Sequence, residues 1–593
     1  MGYDANSLYL SAIMQEMPTL NPIRRRKENG FKAEVTDRYG VQAHEWLTLL
    51  SHQNNIHIRH KFNGVEKRLG NRRVPVDGWD AENKTVYQFQ GCWFHGHSCA
   101  VTRHATHNTM TDTLFGTLQE RTANIKAYLT ETLNLKVVEM RECEWKQFKL
   151  EHPEHRSFFK EHCPKTKSPF HYNGQSVTVD SVVSAIQSGK LFGFVECDLR
   201  VPKDKEDFFS EFQPIFKNTL VGREDVGEHM KEYAESHDLL KQPRRTLVAS
   251  YWAKKILLAT PLLKWYVEHG LVVEDIHEVI EYTPKACFDE FGQFTSNCRR
   301  QADVDPSKNI LAQSAKLMGN SSYGRTVTNV SKFKEVSYLP TDKAAKLIND
   351  PRFKAVRTLT DTLDEVEMSP KKLVWDLPLE IGVMVYNMAK VRMLQFYYDC
   401  LDKYISRDHF QLAEGDTDSL YLALSTENLE EAVKPELREE FYRNYHLWFP
   451  ALSCDKHCDE FVGCKTQPGS EWVLSEQSKC CQDRHAFDKR TPGLFKLEYQ
   501  GSDMVCLCSK TYFASGTTQK MSSKGLQAKS NKLSYTDFVN VLTSKESGSG
   551  VNRGFRTDGK VILTYLQRRR SLSYLYIKRI VDKDGVTTYP TRL

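Results

Sequence analysis

The chain has 593 residues, of which 40% are hydrophobic and 27% are charged, and its formal net charge is +6. This length predicts about four folding units. No run approaches the ~18 consecutive apolar residues of a membrane span, and the N-terminus lacks a signal-peptide pattern, so we predict no membrane association. The 15 cysteines are odd in number, which argues against a secreted disulfide framework and predicts an intracellular, reducing compartment.

The first segment with chemical content is Tyr3-Asp4-Ala5-Asn6-Ser7-Leu8-Tyr9, and a second, Gly415-Asp416-Thr417-Asp418-Ser419, lies far downstream. Magnesium takes octahedral oxygen ligands and shares its shell with waters and substrate phosphates. We therefore predict that both segments meet at one site for two Mg²⁺ ions, which performs phosphoryl or nucleotidyl transfer. Asp4 and Asp418 are the predicted bridging ligands, and Asp416 either ligates or tunes the site. A turn in which Asp and Ser bond only to backbone is the alternative for the second segment.

Residues 30–150 show a pattern of their own between these two segments. Strand signals at Val74–Asp77, Thr85–Phe89 and Leu135–Met140 surround a polar helical stretch near 115–132. We interpret this pattern as a compact α/β domain that is inserted into the chain.

A third chemical segment, Lys316-Leu317-Met318-Gly319-Asn320-Ser321-Ser322-Tyr323-Gly324, follows strand signals near Leu191–Val201. Pro306 is placed to open a helix that runs through Lys316 to the Asn320-Ser321 end. Lys316 and Tyr323 are two turns apart, so they share one helix face. On that face, the Lys316 cation can bind a triphosphate while the Tyr323 ring contacts the base.

The C-terminal half begins with a long amphipathic helix from Met384, because apolar residues recur in steps of three and four at Met388, Val391, Leu394, Tyr398 and Leu401. The second acidic segment then lies on a predicted hairpin between Phe410–Leu412 and Leu420–Leu424. Further on, Ser534 and Asp537 form a capping-box pattern that opens another helix.

Two basic clusters, Arg24-Arg25-Arg26-Lys27 and Arg568-Arg569-Arg570, are candidate contacts to nucleic acid. The alternative for each cluster is a solvated surface.

The three chemical segments, in this order, resemble motifs A, B and C of family B DNA polymerases, which read D-x-x-S-L-Y, K-x-x-x-N-S-x-Y-G and D-T-D-S. Ser509-Lys510-Thr511-Tyr512, which follows Phe495-Lys496-Leu497-Glu498-Tyr499, is similar to the K-x-Y motif of that family. Phe192-Gly193-Phe194-Val195-Glu196-Cys197-Asp198 and Arg490-Thr491-Pro492-Gly493-Leu494-Phe495-Lys496 resemble the protein-primed branch carried by Polinton-like transposons and related viruses. The resemblance covers nearly the whole chain.

This resemblance implies a template-directed DNA polymerase that uses two Mg²⁺ ions to add dNTPs to a DNA primer-template. It further implies protein-primed replication of a mobile or viral DNA, with a terminal protein as primer. We expect the protein in the nucleus, or wherever that DNA replicates.

Motif A and the K-x-Y motif receive the following roles from the resemblance. The backbone N–H groups of Ser7 and Leu8 would cradle the phosphates. Tyr9 would lie beneath the sugar, where its ring clashes with a 2′-OH and so acts as a steric gate. Lys510 and Tyr512 would hold the backbone of the primer terminus.

Motif B supplies the remaining predicted nucleotide contacts. Lys316 would stabilise the charge that develops on the leaving pyrophosphate. Asn320 would contact the nucleotide, and Tyr323 and Gly324 would form the platform for the templating base. Weaker candidates for the task of Lys316 are Arg299, Arg300 and Lys308.

Within the insertion, Val76-Asp77-Gly78, Gly91-Cys92-Trp93-Phe94-His95-Gly96-His97-Ser98-Cys99 and Arg141-Glu142-Cys143 resemble very-short-patch-repair endonucleases, a branch of the restriction-endonuclease-like fold. The resemblance implies that Asp77 and His95 are the catalytic candidates. This chain has Gln88 and Gln90 where relatives carry an acidic residue or histidine. A glutamine side chain cannot act as a general base, which puts DNA cleavage in doubt.

His97, Cys99 and Cys143 resemble three structural zinc ligands of that endonuclease family, and the sequence does not identify a fourth. Buried free thiols are the alternative. A second group could bind Zn²⁺ and comprises Cys454, His457, Cys458, Cys464, Cys480, Cys481 and His485. Free cysteines in a loop are the alternative for this group.

The implied fold class is α+β: a right-hand polymerase of palm, fingers and thumb with an inserted α/β restriction-endonuclease-like domain. The predicted domains are 1–29 (start of the palm with motif A), 30–150 (insertion), 151–292 (palm and inserted priming-related elements), 293–330 (fingers with motif B), 331–480 (palm with motif C) and 481–593 (K-x-Y motif and thumb). Because only three residues precede Asp4, we expect that the proofreading exonuclease of the family is missing. We therefore expect a truncated gene product or a fragment.

Two other functions remain open at this point. The chain is alternatively an inactive nucleic-acid-binding remnant of such a polymerase, or a DNA nickase that acts through the inserted domain.

Overall fold

The computed structural model describes residues 1–31, 33–35, 41–60, 67–97, 99, 107–108, 113–163, 177–374, 377–451, 481–516, 519–558, 561–591 and 593. It is a mixed α+β structure with 40% helix and 31% strand, which confirms the predicted α+β class. The chain forms two compact units. The first comprises Met1–Thr19, Arg25–Lys32 and Tyr172–Leu593, and the second comprises Leu20–Arg24 and Ala33–His171.

Helices and strands are interspersed along the described residues of the first unit, and the strands form several separate sheets. Its α-helices are Leu8–Ile13, Val179–Gln187, Glu228–Ser236, Thr260–Glu268, Asp289–Val304, Asn309–Thr326, Thr341–Ile348, Leu379–Leu394, Arg438–Asn444, Cys481–Asp488, Ala528–Asn531 and Tyr535–Ser544. Its strands are Gly2–Ala5, Met17–Arg26 (shared with the second unit), Gly193–Arg200, Ile215–Val221, Arg244–Ser250, Trp252–Ala259, Val272–Lys285, Glu335–Pro340, Phe353–Thr360, Leu363–Met368, Phe410–Asp416, Ser419–Leu424, Phe495–Tyr499, Asp503–Cys508, Thr511–Ser515, Lys520–Ser522, Ser549–Asp558, Val561–Arg570, Ile580–Val581 and Thr588–Tyr589.

The central sheet of the first unit has four antiparallel strands in the order Phe410–Asp416, Ser419–Leu424, Gly2–Ala5 and Phe495–Tyr499. The register pairs Asp4 with Ser419 on one side and with Lys496 on the other. The strand that carries Asp4 is therefore interior to the sheet and has hydrogen-bonded neighbours on both edges.

Aromatic packing holds this sheet against the predicted amphipathic helix. Leu379–Leu394 is an α-helix that continues as a π-type segment, Gln395–Asp402, which confirms the helical prediction for this region. Phe396 of that segment stacks on Phe495 of the sheet with ring centroids 3.6 Å apart and an interplanar angle of 10°. Tyr3 contacts the same Phe396 ring edge-on.

Two other predicted elements of the first unit are also present. The hairpin between Phe410–Asp416 and Ser419–Leu424 is closed by Thr417 and Asp418, and Thr417 has a positive φ of 56°. The helix Tyr535–Ser544 begins with the predicted capping box, in which the Ser534 backbone N–H donates to Asp537 at 2.7 Å.

The motif B segment differs from its prediction in its bounds. Pro306 lies in a short 3-10 turn, the α-helix begins at Asn309, and it continues past Ser321 to Thr326. The predicted end at Asn320-Ser321 therefore lies inside the helix. The hydroxyls of Ser321 and Ser322 bond back to carbonyls of the preceding turn, so these polar side chains are accommodated within the helix.

The second unit is an α/β structure with its own core. Its helices are Val41–Asn54, Phe115–Ala127, Glu142–Glu151 and Arg156–His162, with a π-type segment at Tyr128–Thr132. Its strands are Ala33–Val35, Arg59–His60, Lys67–Leu69, Val74–Val76, Gly78–Asp80, Thr85–Gln90, His107–Asn108, Thr113–Leu114 and Lys136–Arg141. The predicted strand, helix and strand from residue 85 to 140 are therefore present, and Lys136–Arg141 runs parallel to Thr85–Gln90.

Trp46, Leu47 and Trp145 are at most 2% exposed in the core of the second unit. None of the helices in the described residues combines the length and apolarity that a membrane crossing requires.

Replacing Phe495 by Ala should lower the free energy of unfolding of the first unit by about 3–5 kcal/mol, because it empties a fully buried ring position. Leu497, two residues along the same strand, is 47% exposed, so Leu497→Ala should cost about 1 kcal/mol or less. Denaturant unfolding of both variants, followed by fluorescence, measures the difference. Equal destabilisation would contradict this account of the core.

Candidate active site and metal group

One cleft of about 380 Å³ brings together most of the site residues that the sequence predicts for the first unit. We call it the central cleft. Its lining residues are Asp4, Ala5, Asn6, Ser7, Leu8, Tyr9, Arg299, Lys316, Asn320, Tyr323, Asp418, Lys496 and Glu498. Segments resembling motifs A, B and C, which are far apart in the sequence, therefore line one cleft.

The turn after Asp4 is held from several sides. Asn6 accepts a backbone hydrogen bond from Gly493 (2.7 Å) and donates one to Leu494 (2.8 Å), and its side-chain amide donates to the Thr491 carbonyl at 2.9 Å. Ser7 adopts a left-handed conformation with φ 48° just before the helix Leu8–Ile13. These contacts fix the direction in which the chain leaves the sheet and passes under the cleft.

Three carboxylates line the cleft, those of Asp4, Asp418 and Glu498. Burial, followed by the nearby charges of Glu498 and Asp418, raises the pKa of Asp4 to about 6. Burial and the neighbouring Asp416 also raise the pKa of Asp418. Like charges in a partly buried position disfavour ionisation, so this cluster attracts either protons or cations.

Lysines offset part of this charge, and the sequence prediction missed them. Lys496 Nζ lies 3.4 Å from Asp4 Oδ2 and also pairs with Glu498. Lys520 pairs with the same glutamate. Burial alone would raise the pKa of Glu498, but hydrogen bonds from both lysines outweigh it and lower the pKa to about 2. The sequence signals only that Lys496 and Glu498 alternate along one strand, and it does not place that strand beside Asp4.

Asp416 does not line the cleft, although it is two residues from Asp418. Its Oδ1 is 2.5 Å from Lys510 Nζ, and the hydrogen bond to Asp416 raises the pKa of Lys510. Lys510 has φ 64°, and its backbone N–H donates to the buried Glu414 at 3.2 Å. The K-x-Y turn is therefore tied to the motif C hairpin through both the side chain and the backbone of Lys510.

Tyr512 is buried, whereas its predicted contact with a primer requires an exposed ring. It is 4% exposed, and its hydroxyl is 2.8 Å from that of Tyr421 in a buried cluster. Because the ring is enclosed by Tyr421 and neighbouring side chains, it cannot pack against a primer in this conformation. Its contribution is to support the strand that follows Lys510.

The motif B helix presents Lys316, Asn320 and Tyr323 to the cleft, as their spacing of four and three residues predicts. Gly324 is not among the lining residues of the cleft. Of the weaker candidates, Arg299 lines the cleft, and its Nη1 donates to Ser7 Oγ at 2.6 Å.

The two other weaker candidates have partners elsewhere. Arg300 donates to the Phe487 carbonyl at 3.2 Å and to Thr491 Oγ1 at 3.0 Å. Lys308 lies 3.9 Å from Asp305. Neither lines the central cleft.

A cluster of tyrosines forms one wall of the cleft. Tyr9 and Tyr323 stack with centroids 4.1 Å apart and an interplanar angle of 25°. Burial, together with hydrogen bonds to Tyr9 and Tyr386, raises the pKa of Tyr323. The predicted gate of motif A and the predicted base platform of motif B are therefore in direct contact.

In the second unit, the catalytic candidates have the following contacts. Asp77 Oδ2 accepts a hydrogen bond from the Phe89 backbone at 2.8 Å. His95 Nδ1 is 3.0 Å from Thr122 Oγ1, and burial lowers its pKa. Gln88 donates to the Pro75 carbonyl, and Gln90 donates to Glu139, each at 3.2 Å.

The same unit contains a four-residue group that can hold a metal ion such as zinc: Cys92, His97, Cys99 and Cys143. The potential ligand atoms all lie within 4.8 Å of one another. His97 Nδ1 is 3.5 Å from Cys92 Sγ and 3.6 Å from Cys143 Sγ. Tetrahedral zinc with Zn–S near 2.3 Å and Zn–N near 2.0 Å separates such ligands by roughly 3.5–3.8 Å, so the spacing fits.

Cys92 is the fourth member that sequence reasoning left unidentified. The parallel strands Thr85–Gln90 and Lys136–Arg141 end with Gln90 opposite Arg141. Cys92 and Cys143 each lie two residues beyond that pair, so both emerge at the same edge of the sheet.

Most of the second predicted cysteine and histidine group, from Cys454 to Cys480, lies outside the described residues. Cys481 belongs to the helix Cys481–Asp488. His485 Nδ1 is 2.5 Å from the Ala451 carbonyl oxygen.

No protein-family model, curated protein or solved structure matches this chain.

Proposed function

We propose that the chain is a template-directed DNA polymerase that adds dNTPs to a primer 3′ end by two-metal nucleotidyl transfer. The observation that carries this proposal is the central cleft, in which Asp4, Asp418, Lys316, Tyr9 and Tyr323 converge from three distant segments. Carboxylates, a cation and aromatic rings in one cleft match the needs of a metal-bound triphosphate, a developing pyrophosphate and a base.

The carboxylates of the cleft fit Mg²⁺. Asp4 and Asp418 are hard oxygen donors, and their raised pKa values reflect burial and mutual repulsion that a divalent cation would relieve. Asp4 and Asp418 would hold the ions, with Glu498 beside them. When bound, the two ions supply activation of the primer 3′-OH and neutralisation of the triphosphate.

The cationic side of the cleft would receive the triphosphate. Lys316 lines it from the motif B helix, and Arg299 lines it from the preceding helix. In this proposal Lys316 stabilises the leaving pyrophosphate, because a positioned cation is most effective where charge develops. Arg299 holds Ser7 and so orients the turn whose Ser7 and Leu8 backbone N–H groups face the phosphates.

A second part of the cleft, lined by tyrosines, would receive the sugar and base. Tyr9 lies against Tyr323, so a 2′-OH that pushes on the Tyr9 ring meets a second ring behind it. Asn320 and Tyr323 complete this part of the cleft from the motif B helix.

Primer contacts in the proposal come from Lys510, whose side chain is 55% exposed even though it pairs with Asp416. Arg568, Arg569 and Arg570 lie exposed on the strand Val561–Arg570. Basic side chains of this kind contact phosphates without sequence preference.

Protein priming, and with it a terminal protein and a mobile or viral template, is proposed on the resemblance of the chain to the protein-primed branch. For the second unit, the contacts of Gln88 and Gln90 give no support to a nickase, and we assign it no cleavage. We propose instead that Cys92, His97, Cys99 and Cys143 hold a structural Zn²⁺ ion there.

Asp418→Ala should reduce primer extension by about 100-fold or more, because it removes a carboxylate of the metal cluster. The assay is extension of a labelled primer on a DNA template with Mg²⁺ and dNTPs, with primer-template binding followed by fluorescence anisotropy. Binding should persist, since Asp418 makes the site for the ions and not for the duplex.

Asp361→Ala, at an exposed aspartate of the first unit, is the matched control and should extend normally. Wild-type extension by Asp418→Ala would show that the site is wrong. Binding without extension by the unaltered chain would favour the inactive remnant, and DNA cleavage that survives in Asp418→Ala would favour the nickase.

Tyr9→Ala should lower the preference for dNTPs over rNTPs by about 10- to 100-fold, because it removes the ring that a 2′-OH would meet. Tyr9→Phe keeps that ring and should keep the preference. The ratio of kcat/KM for dCTP and CTP on one template measures this directly. Unchanged discrimination in Tyr9→Ala would remove Tyr9 from the gate.

The zinc proposal predicts that the purified chain retains metal and that Cys92→Ser loses about one zinc ion per chain. Elemental analysis after gel filtration gives the content. Cys287→Ser, at an exposed cysteine of the first unit, is the control and should lose none. Identical zinc content in both variants would exclude Cys92 as a ligand.

A further inference from the structure

A third tyrosine, Tyr386, completes the aromatic wall beside the central cleft. Its ring is 5.9 Å from Tyr9 at an interplanar angle of 89°, and 5.5 Å from Tyr323 at 88°. It therefore meets both rings of the stacked pair edge-on, an arrangement that aromatic quadrupoles favour.

The helix Leu379–Leu394 holds Tyr386 in this position. Gly382 lies one turn earlier on the same face, and a Cβ added there would come within 2.2 Å of Thr326 Oγ1 and 2.3 Å of a Val327 methyl group. The absence of a side chain thus allows close approach to the end of the motif B helix. Asn387 adds a second anchor, since it accepts a hydrogen bond from the Ala259 backbone at 3.2 Å.

Tyr386 is not among the described residues that line the cleft. It is 46% exposed, so it contributes little to the buried core. Any effect on a bound nucleotide must pass through the two rings that it touches.

We propose that Tyr386 is a positioning residue for sugar discrimination, an inference that rests on the proposed polymerase function. A steric gate works only if the gate ring cannot move away from the 2′-OH. Tyr323 blocks one direction by stacking on the face of the Tyr9 ring, and Tyr386 blocks another by its perpendicular contact. Removing the Tyr386 ring leaves Tyr9 in place but allows the Tyr9 ring to move away from a 2′-OH.

The test compares single-nucleotide incorporation of dCTP and CTP by the full chain and by Tyr386→Leu, Tyr386→Phe and Tyr9→Ala. Tyr386→Leu should lower the selectivity ratio roughly 5-fold, which corresponds to about 1 kcal/mol, mainly by lowering the KM for CTP. The kcat for dCTP should stay within about twofold of the wild-type value, because no group that touches the substrate has changed. Tyr386→Phe retains the ring and should restore the wild-type ratio.

Tyr589→Leu is the matched control, since Tyr589 is 41% exposed and lies on a short C-terminal strand. Its ratio should equal that of the wild type. Normal selectivity in Tyr386→Leu, when Tyr9→Ala has lost it, would overturn the role of Tyr386 and leave the polymerase proposal intact. An equal loss for dCTP and CTP would also overturn it, since that result indicates a merely structural role. If the unaltered chain incorporates neither nucleotide, the polymerase proposal fails and this inference falls with it.

Discussion

The pairing of Gly2–Ala5 with strands on both sides is the constraint on which the candidate site depends. Each edge of this four-residue strand bonds to a partner from the distant C-terminal half. The register places Asp4 opposite Ser419, next to Asp418, and opposite Lys496 on the other edge. A shift of one residue would turn Asp4 to the other face of the sheet and separate it from the motif C carboxylate. The packing of the buried Tyr3 ring on Phe396 opposes such a shift, because the shift would turn Tyr3 away from Phe396.

The same register creates an electrostatic cost. Asp4, Asp418 and Glu498 line one partly buried cleft, where each charge raises the energy of ionising the next. Lys496 and Lys520 lower that cost at Glu498, and Lys510 forms an ion pair with Asp416. The compensation is uneven, since the pKa of Asp4 remains raised while that of Glu498 is lowered. A cation bound beside these carboxylates would relieve this residual repulsion.

Local patterns predicted the parts of this structure that depend on neighbours in sequence. The motif C hairpin, the capping box at Ser534 and the shared face of Lys316 and Tyr323 all follow from spacings of a few residues, and all are present. What could not be read from the sequence depends on pairing between distant strands. Lys496 becomes a partner of Asp4 only through the sheet register. The burial of Tyr512 against Tyr421 was not predicted. The two residues lie on separate strands, and the sequence does not show that these strands come together.

Cys92 marks the limit of prediction from the sequence, because it could almost have been identified as the fourth potential metal ligand. The strands that precede Cys92 and Cys143 were both predicted, and parallel strands bring residues beyond their carboxyl ends to one edge of a sheet. The missing step was the register, which pairs Gln90 with Arg141 and makes the two cysteines equidistant from the last pair. Tyr386 had no comparable signal in the sequence, since its contacts with Tyr9 and Tyr323 depend on how closely its helix approaches the motif B helix at Gly382. Registers and close approaches are properties of the packed chain, and both candidate sites are assembled by them.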